Sequence, residues 1–160
     1  MRTIPILMVT FESMISFAAS LRGLSNGEWT SPLEPGKWST QQVIAHIMLW
    51  DRHFLREAIT PIAAGTPLTF KHSNFDQFNE NAATYAKSIS HEELITACIE
   101  VRSELVGKLK SLNETHHNEV YRDGDGNPFT VLAYLEDFVD HDTHHKEQIE
   151  RFIQQSIQSE

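Results

Sequence analysis

Apolar residues recur along this chain with the period of a helix, not of a strand. Leu7, Phe11, Met14, Ile15, Ala18 and Leu21 mark one face of a first helix, predicted from about Ile4 to Leu24 and closed by Gly23 and Ser25-Asn26-Gly27. The stretch Glu28–Lys37, with Pro32, Pro35 and Gly36, reads as a non-helical loop. Ser39 is placed to cap a second helix running to about Ile59, with Pro61 just beyond it. After the turn at Gly65-Thr66-Pro67, Ser73 or Asn74 caps a third helix carrying Phe75, Phe78, Ala82, Tyr85, Ala86 and Ile89. Ser90, followed three residues later by Glu93, has the capping-box form. It opens a fourth helix with Leu94, Ala97, Cys98, Val101, Leu105 and Leu109 on one face. The run Asp123-Gly124-Asp125-Gly126-Asn127-Pro128 is a turn that suits a short hairpin between Val120-Tyr121 and Phe129. Thr130 then caps a last helix reaching about Gln155. The pattern predicts an all-α protein: an antiparallel four-helix bundle in a single domain over residues 1–160, with a short extra helix or hairpin in the connections.

Composition narrows the function classes. The hydrophobic fraction of 40% supports a core without disulfides, and the single Cys98 could not form one internally, which points to a reducing cytoplasm. Thirteen Lys and Arg against 22 Asp and Glu give a formal net charge of −9, a field that repels nucleic acid and anionic membranes. Glu12 and three serines interrupt the apolar segment Ile4–Leu21, so it falls short of the roughly 18–20 apolar residues of a membrane span. The expectation is a cytoplasmic protein acting on a small molecule, with neither nucleic acid nor membrane as a partner.

Nine histidines in 160 residues change the picture, because three of them occupy five positions near the end. With Phe138 set at zero and about 100° per residue, the apolar positions of the last helix fall between roughly −40° and +60°. His145 lies inside that sector at about −20°, His141 on its edge at about −60°, and His144 outside it at about −120°. His141 and His145 are therefore the pair that faces inward, spaced i, i+4 so that two imidazoles reach one metal ion. A third ligand is expected from a facing helix. His46, beside Val43, Ile47 and Trp50, is the best placed. Three neutral imidazoles leave a coordination position open, the catalytic rather than the structural pattern. His53, seven residues after His46, is expected at a pocket rim or in the second shell. Asp142, at about +40° inside the apolar sector, is expected to orient a ligand from the second shell, to pair with a cation, or to serve a plain structural role, because an unpaired buried carboxylate is costly. His72, His91, His116 and His117 are expected in solvent.

Other motifs fail. Glu114-x-x-His117 has no second copy on another helix, against a carboxylate-bridged di-metal centre. Asp123, Asp125 and Asn127 imitate a calcium loop, but the glycines are misplaced and Tyr134 stands where Glu belongs. Cys98 reads as an inert core thiol.

Trp38-Ser39 leading to His46, then Phe75-x-x-Phe78-Asn79, then His141-x-x-x-His145-Lys146-x-Gln148-Ile149 together resemble the DinB-like (YfiT-like) metalloprotein superfamily, from about residue 5 to 155. The resemblance implies a four-helix bundle in which His46, His141 and His145 bind a divalent metal, zinc or nickel. Lys146 stands where many members have Arg. The resemblance further implies a metal-dependent enzyme, foremost an S-transferase that uses a low-molecular-weight thiol, and a homodimer. Arg52 or Arg56 is then placed to hold a thiol cofactor's carboxylates. The alternatives are a hydrolase with water as nucleophile at the same site and a non-catalytic metal- or ligand-binding bundle.

Overall fold

A computed structural model describes residues 2–71 and 74–158. His72 and Ser73, one of the two candidate caps of the third helix, lie outside the described residues. The chain begins with α1 (Ile4–Glu12) and α2 (Met14–Ser20), nearly continuous through Ser13. Thr3 Oγ1 caps α1 by accepting from Ile6 N, and Pro5 occupies its first turn, where a missing N–H costs nothing. By length and composition Ile4–Gly23 is apolar enough to cross a membrane; here Leu7, Phe11, Met14, Ala18 and Leu21 face the bundle interior.

The second long element is α4 (Thr40–Phe54), opened by a reciprocal Ser39–Gln42 capping box. It runs on through a π-helical turn, Leu55–Ile59, into α5 (Thr60–Ala64), past the end predicted near Ile59. Thr60 N–H donates to Leu55 O, five residues back, so the turn absorbs one extra residue and admits Pro61 without ending the helix. Gly65, at φ 73°, provides the left-handed residue that stops it.

The chain then doubles back. Asn74 caps α6 (Phe75–Ala86), which lies along α4 with Asn79 opposite Trp50 and Ala86 O bonded to Gln41. Next comes α7 (His91–Ser111), where Ser90 Oγ accepts from Glu93 N. The last long helix is α9 (Val131–Gln158), with Thr130 Oγ1 accepting from Ala133 N. These elements form the expected four-helix bundle, with helix directions set by α6. Because α6 returns the chain, α4 and α7 run in the same direction, and α1–α2 and α9 run in the other. The two halves of the core show this. One half packs Leu7 and Phe11, Leu55 and Ile59, Leu105 and Leu109, and Tyr134 and Leu135. The other half packs Met14 and Ala18, Val43 and Ile47, Leu94 and Cys98, and Ile149.

Two connections depart from the sequence reading. Ser25-Asn26-Gly27-Glu28, read as a stop and loop, is itself a capping box, and it starts α3 (Asn26–Thr30), which buries Trp29. His116 and His117 belong to a separate helix, α8 (Glu114–Asn118), because Asn113 forms a new cap; both are half-buried rather than solvated. His91 is also half-buried, stacked on Trp29 with Nε2 against Leu21 O. The predicted hairpin forms between β1 (Tyr121–Arg122) and β2 (Pro128–Phe129). Its turn presses on the segment before α6: Gly124 N–H donates to Phe70 O at 2.6 Å, and a Cβ at Gly124 would collide with Thr69 O. Glycine is required there, and the contact fixes Phe70 beside Phe129.

Candidate metal centre

Each of the three histidines sits on a helix whose start is set by a local cap, so its direction follows from the sequence. His46 lies two turns into α4; His141 and His145 lie one turn apart on α9. The bundle brings them together. His46 Nε2 is 2.9 Å from His141 Nε2, and His145 Nε2 is 3.2 Å from the same atom. All three ligand atoms fall within 4.8 Å of one another, and His46 is buried with the other two half-buried. Zinc–imidazole bonds of 2.0–2.1 Å place adjacent ligand nitrogens about 2.9–3.4 Å apart for ligand angles of about 90–110°, and these two spacings fit.

The tautomers can be argued from the neighbours. The indole N–H of Trp50 donates to Asn79 Oδ1 at 3.0 Å, and an indole nitrogen can only donate. The Asn79 oxygen therefore faces α4, and His46 Nδ1, 3.0 Å from it, must carry a hydrogen. That leaves a lone pair on His46 Nε2, aimed at the centre of the cluster. His145 Nδ1 lies 3.2 Å from Gln148 Oε1, and because an amide oxygen only accepts, that contact puts the hydrogen on Nδ1. His141 Nε2 has at most one hydrogen to share between two lone pairs, and its Nδ1 is buried with no hydrogen-bond partner. A divalent cation at the convergence point satisfies all three Nε2 lone pairs, so this donor set fits a metal.

Electrostatics keep those lone pairs available. Burial lowers the His46 pKa to about 3 and that of His145 to about 4, with the neighbouring imidazoles adding to the effect. His141 is lowered as well, again chiefly by burial. All three rings are neutral at physiological pH, the form that binds metal. A shallow cavity of about 200 Å³ opens beside His145, bordered by Lys37, Trp38, His144 and Gln148.

The other sequence candidates fall elsewhere. His144 is exposed and points away, as the helical wheel required. His53 stands between Trp50, Phe54, Phe70 and Phe78, at the edge of an aromatic cavity, the pocket-rim position. Arg52 and Arg56 line a separate shallow groove with His53. Asp142, 1% exposed, is directed to a cation, not to an imidazole. It accepts from Arg102 Nη1 at 2.8 Å, while Asp51 accepts from Arg102 Nε at 2.7 Å and Nη2 at 3.0 Å. Arg102 is wholly buried and gives its remaining N–H groups to Phe11 O and to Asp142 Oδ1. Cys98, fully buried nearby, has its thiol pushed up to about 12, chiefly by burial, and is inert at neutral pH.

Sequence reasoning assigned no role to Asn79, Gln148, Asp51 or Arg102. One signal was present: Asn79 and Arg102 each interrupt an apolar stripe, Phe75-Asn79-Ala82-Ala86 and Cys98-Arg102-Leu105-Leu109, where a polar group has to find a partner.

A family model for the DinB superfamily matches residues 16–149, and the chain belongs to that superfamily. Two solved structures share its fold. YfiT from Bacillus subtilis, described as a probable metal-dependent hydrolase with an unusual four-helix bundle topology, superposes with a TM-score of 0.74 at 15% identity, covering 94% of this chain and 85% of that one. The mycothiol-dependent maleylpyruvate isomerase superposes with a TM-score of 0.66 at 16% identity, covering 89% of this chain and 57% of that one. A sequence search of curated proteins returned no match.

Proposed function

We propose that the protein is a metal-dependent enzyme, with a divalent ion, zinc or nickel, on His46, His141 and His145 and a low-molecular-weight thiol as co-substrate in an S-transfer reaction. The observation that carries this reading is the convergence of three neutral Nε2 atoms, two of them aimed inward by the Nδ1 bonds to Asn79 and Gln148. An ion held there would supply Lewis acidity, lowering the pKa of a thiol in the open position so that a thiolate is available at neutral pH. The residues of the chain do the rest. Asn79 and Gln148 hold the ring orientations, burial keeps the imidazoles unprotonated, and the cavity beside His145 admits a ligand with Lys37 at its border to meet an anionic group. In the transfer the thiol proton passes to solvent, a carbon–sulfur bond forms, and the leaving group departs with its electron pair.

A second reading, hydrolysis with water in place of thiol, is favoured by the likeness to YfiT over most of both chains. The mycothiol-dependent neighbour favours the thiol. A non-catalytic metal-binding bundle would call for a sealed site, whereas the cavity beside His145 is open. Metal analysis of the purified protein, followed by conjugation of a thiol to an electrophile with and without chelator, tests the proposal. Chelator-sensitive conjugation supports it; chelator-sensitive ester or amide hydrolysis without conjugation replaces it with the hydrolase.

A further inference from the structure

A second cavity, also about 200 Å³, lies one turn from the histidines and belongs to none of the ligand contacts. Trp50 and Phe54 of α4, Phe70, Phe129 of β2, and Tyr134 and Phe138 of α9 wall it. Phe54 is the hub of this wall, with ring centroids 5.1 Å from both Tyr134 and Phe138 and 5.8 Å from Trp50. The cavity opens to solvent on one side, and backbone holds one of its walls in place. The Gly124–Phe70 hydrogen bond keeps the Phe70 wall in place.

The cavity touches the metal centre at two points. The Phe138 ring is 5.7 Å from the His141 ring, and Trp50 shares the Asn79 oxygen with His46. Polar and charged groups, among them His53, Lys71, Asp123, Asn127 and Asp137, also border the cavity, with charges of both signs. An engineered apolar cavity of about 150 Å³ takes benzene, so this one has room for a ring of about that size or slightly larger. Aromatic walls reward a flat guest through edge and face contacts.

We propose that this cavity receives a flat, uncharged ring of the substrate, placing its reacting group toward His141. The inference rests on the proposed metal centre for its consequence in turnover, but the binding of the ring itself does not require metal.

The test is titration of the full-length protein with benzyl alcohol, followed by ligand-observed NMR, before and after removal of metal with chelator. Saturable binding is expected in both states. In Ala133→Trp, where an exposed α9 position bordering the cavity is enlarged, affinity should drop by about tenfold or more while the helical signal and metal content stay unchanged. Phe70→Ala, which removes one wall from a connecting segment, gives a second reading should Ala133→Trp not fold. Absence of saturable binding, or unchanged affinity in a folded Ala133→Trp or Phe70→Ala variant, overturns the proposal. So does binding of benzyltrimethylammonium about tenfold tighter than benzyl alcohol, which would make the cavity a cation cage. A protein that binds metal but not the ring refutes this inference alone; one that binds the ring but no metal refutes the metal centre alone.

Discussion

The histidine cluster and the two carboxylates of the Asp51–Arg102–Asp142 cluster are built from neighbouring positions of the same two helices, α4 and α9, yet the clusters are finished differently. His141 and Asp142 are consecutive on α9, and the 100° between them sends one to each cluster. Around Arg102 every N–H of the guanidinium has an acceptor: five hydrogen bonds to two carboxylates and one carbonyl. The Phe11 ring covers it at 3.8 Å. Around the histidines, two lone pairs and at most one shared hydrogen meet at a single point, with a buried nitrogen left over. A buried polar cluster that closes on itself ties helices together; one that leaves acceptors converging has a place for something from outside. The first joins α1, α4, α7 and α9, and the second is open to chemistry.

Removing Arg102 should produce the largest change. Arg102→Met leaves two carboxylates buried without a partner, and loss of one member of a buried pair costs about 3–5 kcal/mol. Thermal denaturation of the metal-free protein should show a drop of about 10 °C or more. His46→Ala, measured in the same way without metal, should barely move the midpoint. The reverse ranking would show that the histidines, not the arginine, hold the bundle.

Next in size is metal affinity. His46→Ala and His145→Ala should each lose stoichiometric metal by elemental analysis, whereas His144→Ala should retain it. Equal binding by the His144 and His145 variants would collapse the distinction between an inward and an outward histidine. Asn79→Ala should have a smaller effect, weakening metal about 10–100-fold, as loss of an outer hydrogen-bond partner commonly does. Unchanged affinity there would mean that Trp50 and Asn79 serve packing only.

The smallest effect is on acidification, where the two clusters oppose each other. His46 and His145 are held near 3 and 4 by burial, against an ordinary 6.5 in the unfolded chain. The unfolded chain therefore binds more protons in that window, and stability is lost as pH falls below about 6.5. Asp51 is raised from 3.8 to about 6, chiefly by burial and against the pull of Arg102. The folded chain binds its proton first, so this contribution is present at low pH and lost as pH rises through about 6. The metal-free protein should lose on the order of 1 kcal/mol per pH unit between about 6 and 4. Asp51→Asn should steepen that limb and His46→Leu should flatten it. Parallel limbs in denaturation curves at several pH values would detach both groups from it.

The histidine cluster was legible in the sequence for a simple reason. Residues i and i+4 on one helix face must be neighbours, and the wheel separates His145 from His144 without any tertiary knowledge. The long helices were legible through their period and caps. The arginine cluster was hidden because its members come from three helices: Asp142 showed as a carboxylate on an apolar face, but nothing local names Arg102, 40 residues earlier, as its partner. The helix ends were misread where one signal served two purposes. Ser25-Asn26-Gly27 closes one helix and caps the next, and Pro61 follows a π turn that lets the helix pass through it.

That π turn has a consequence for how the chain tolerates changes in length. Anywhere else in α4, deleting one residue would rotate everything beyond it by about 100° and swing either His46 or the Ile59–Ile62 face out of place. Within Leu55–Ile59 the helix already carries one residue more than α-helical winding needs. Loss of one there lets it rewind to regular α-helix with both flanks where they were. The segment is a spare link: it separates α4, which faces the histidines, from α5, which anchors the opposite half of the core, and one residue can be lost there without dragging either along.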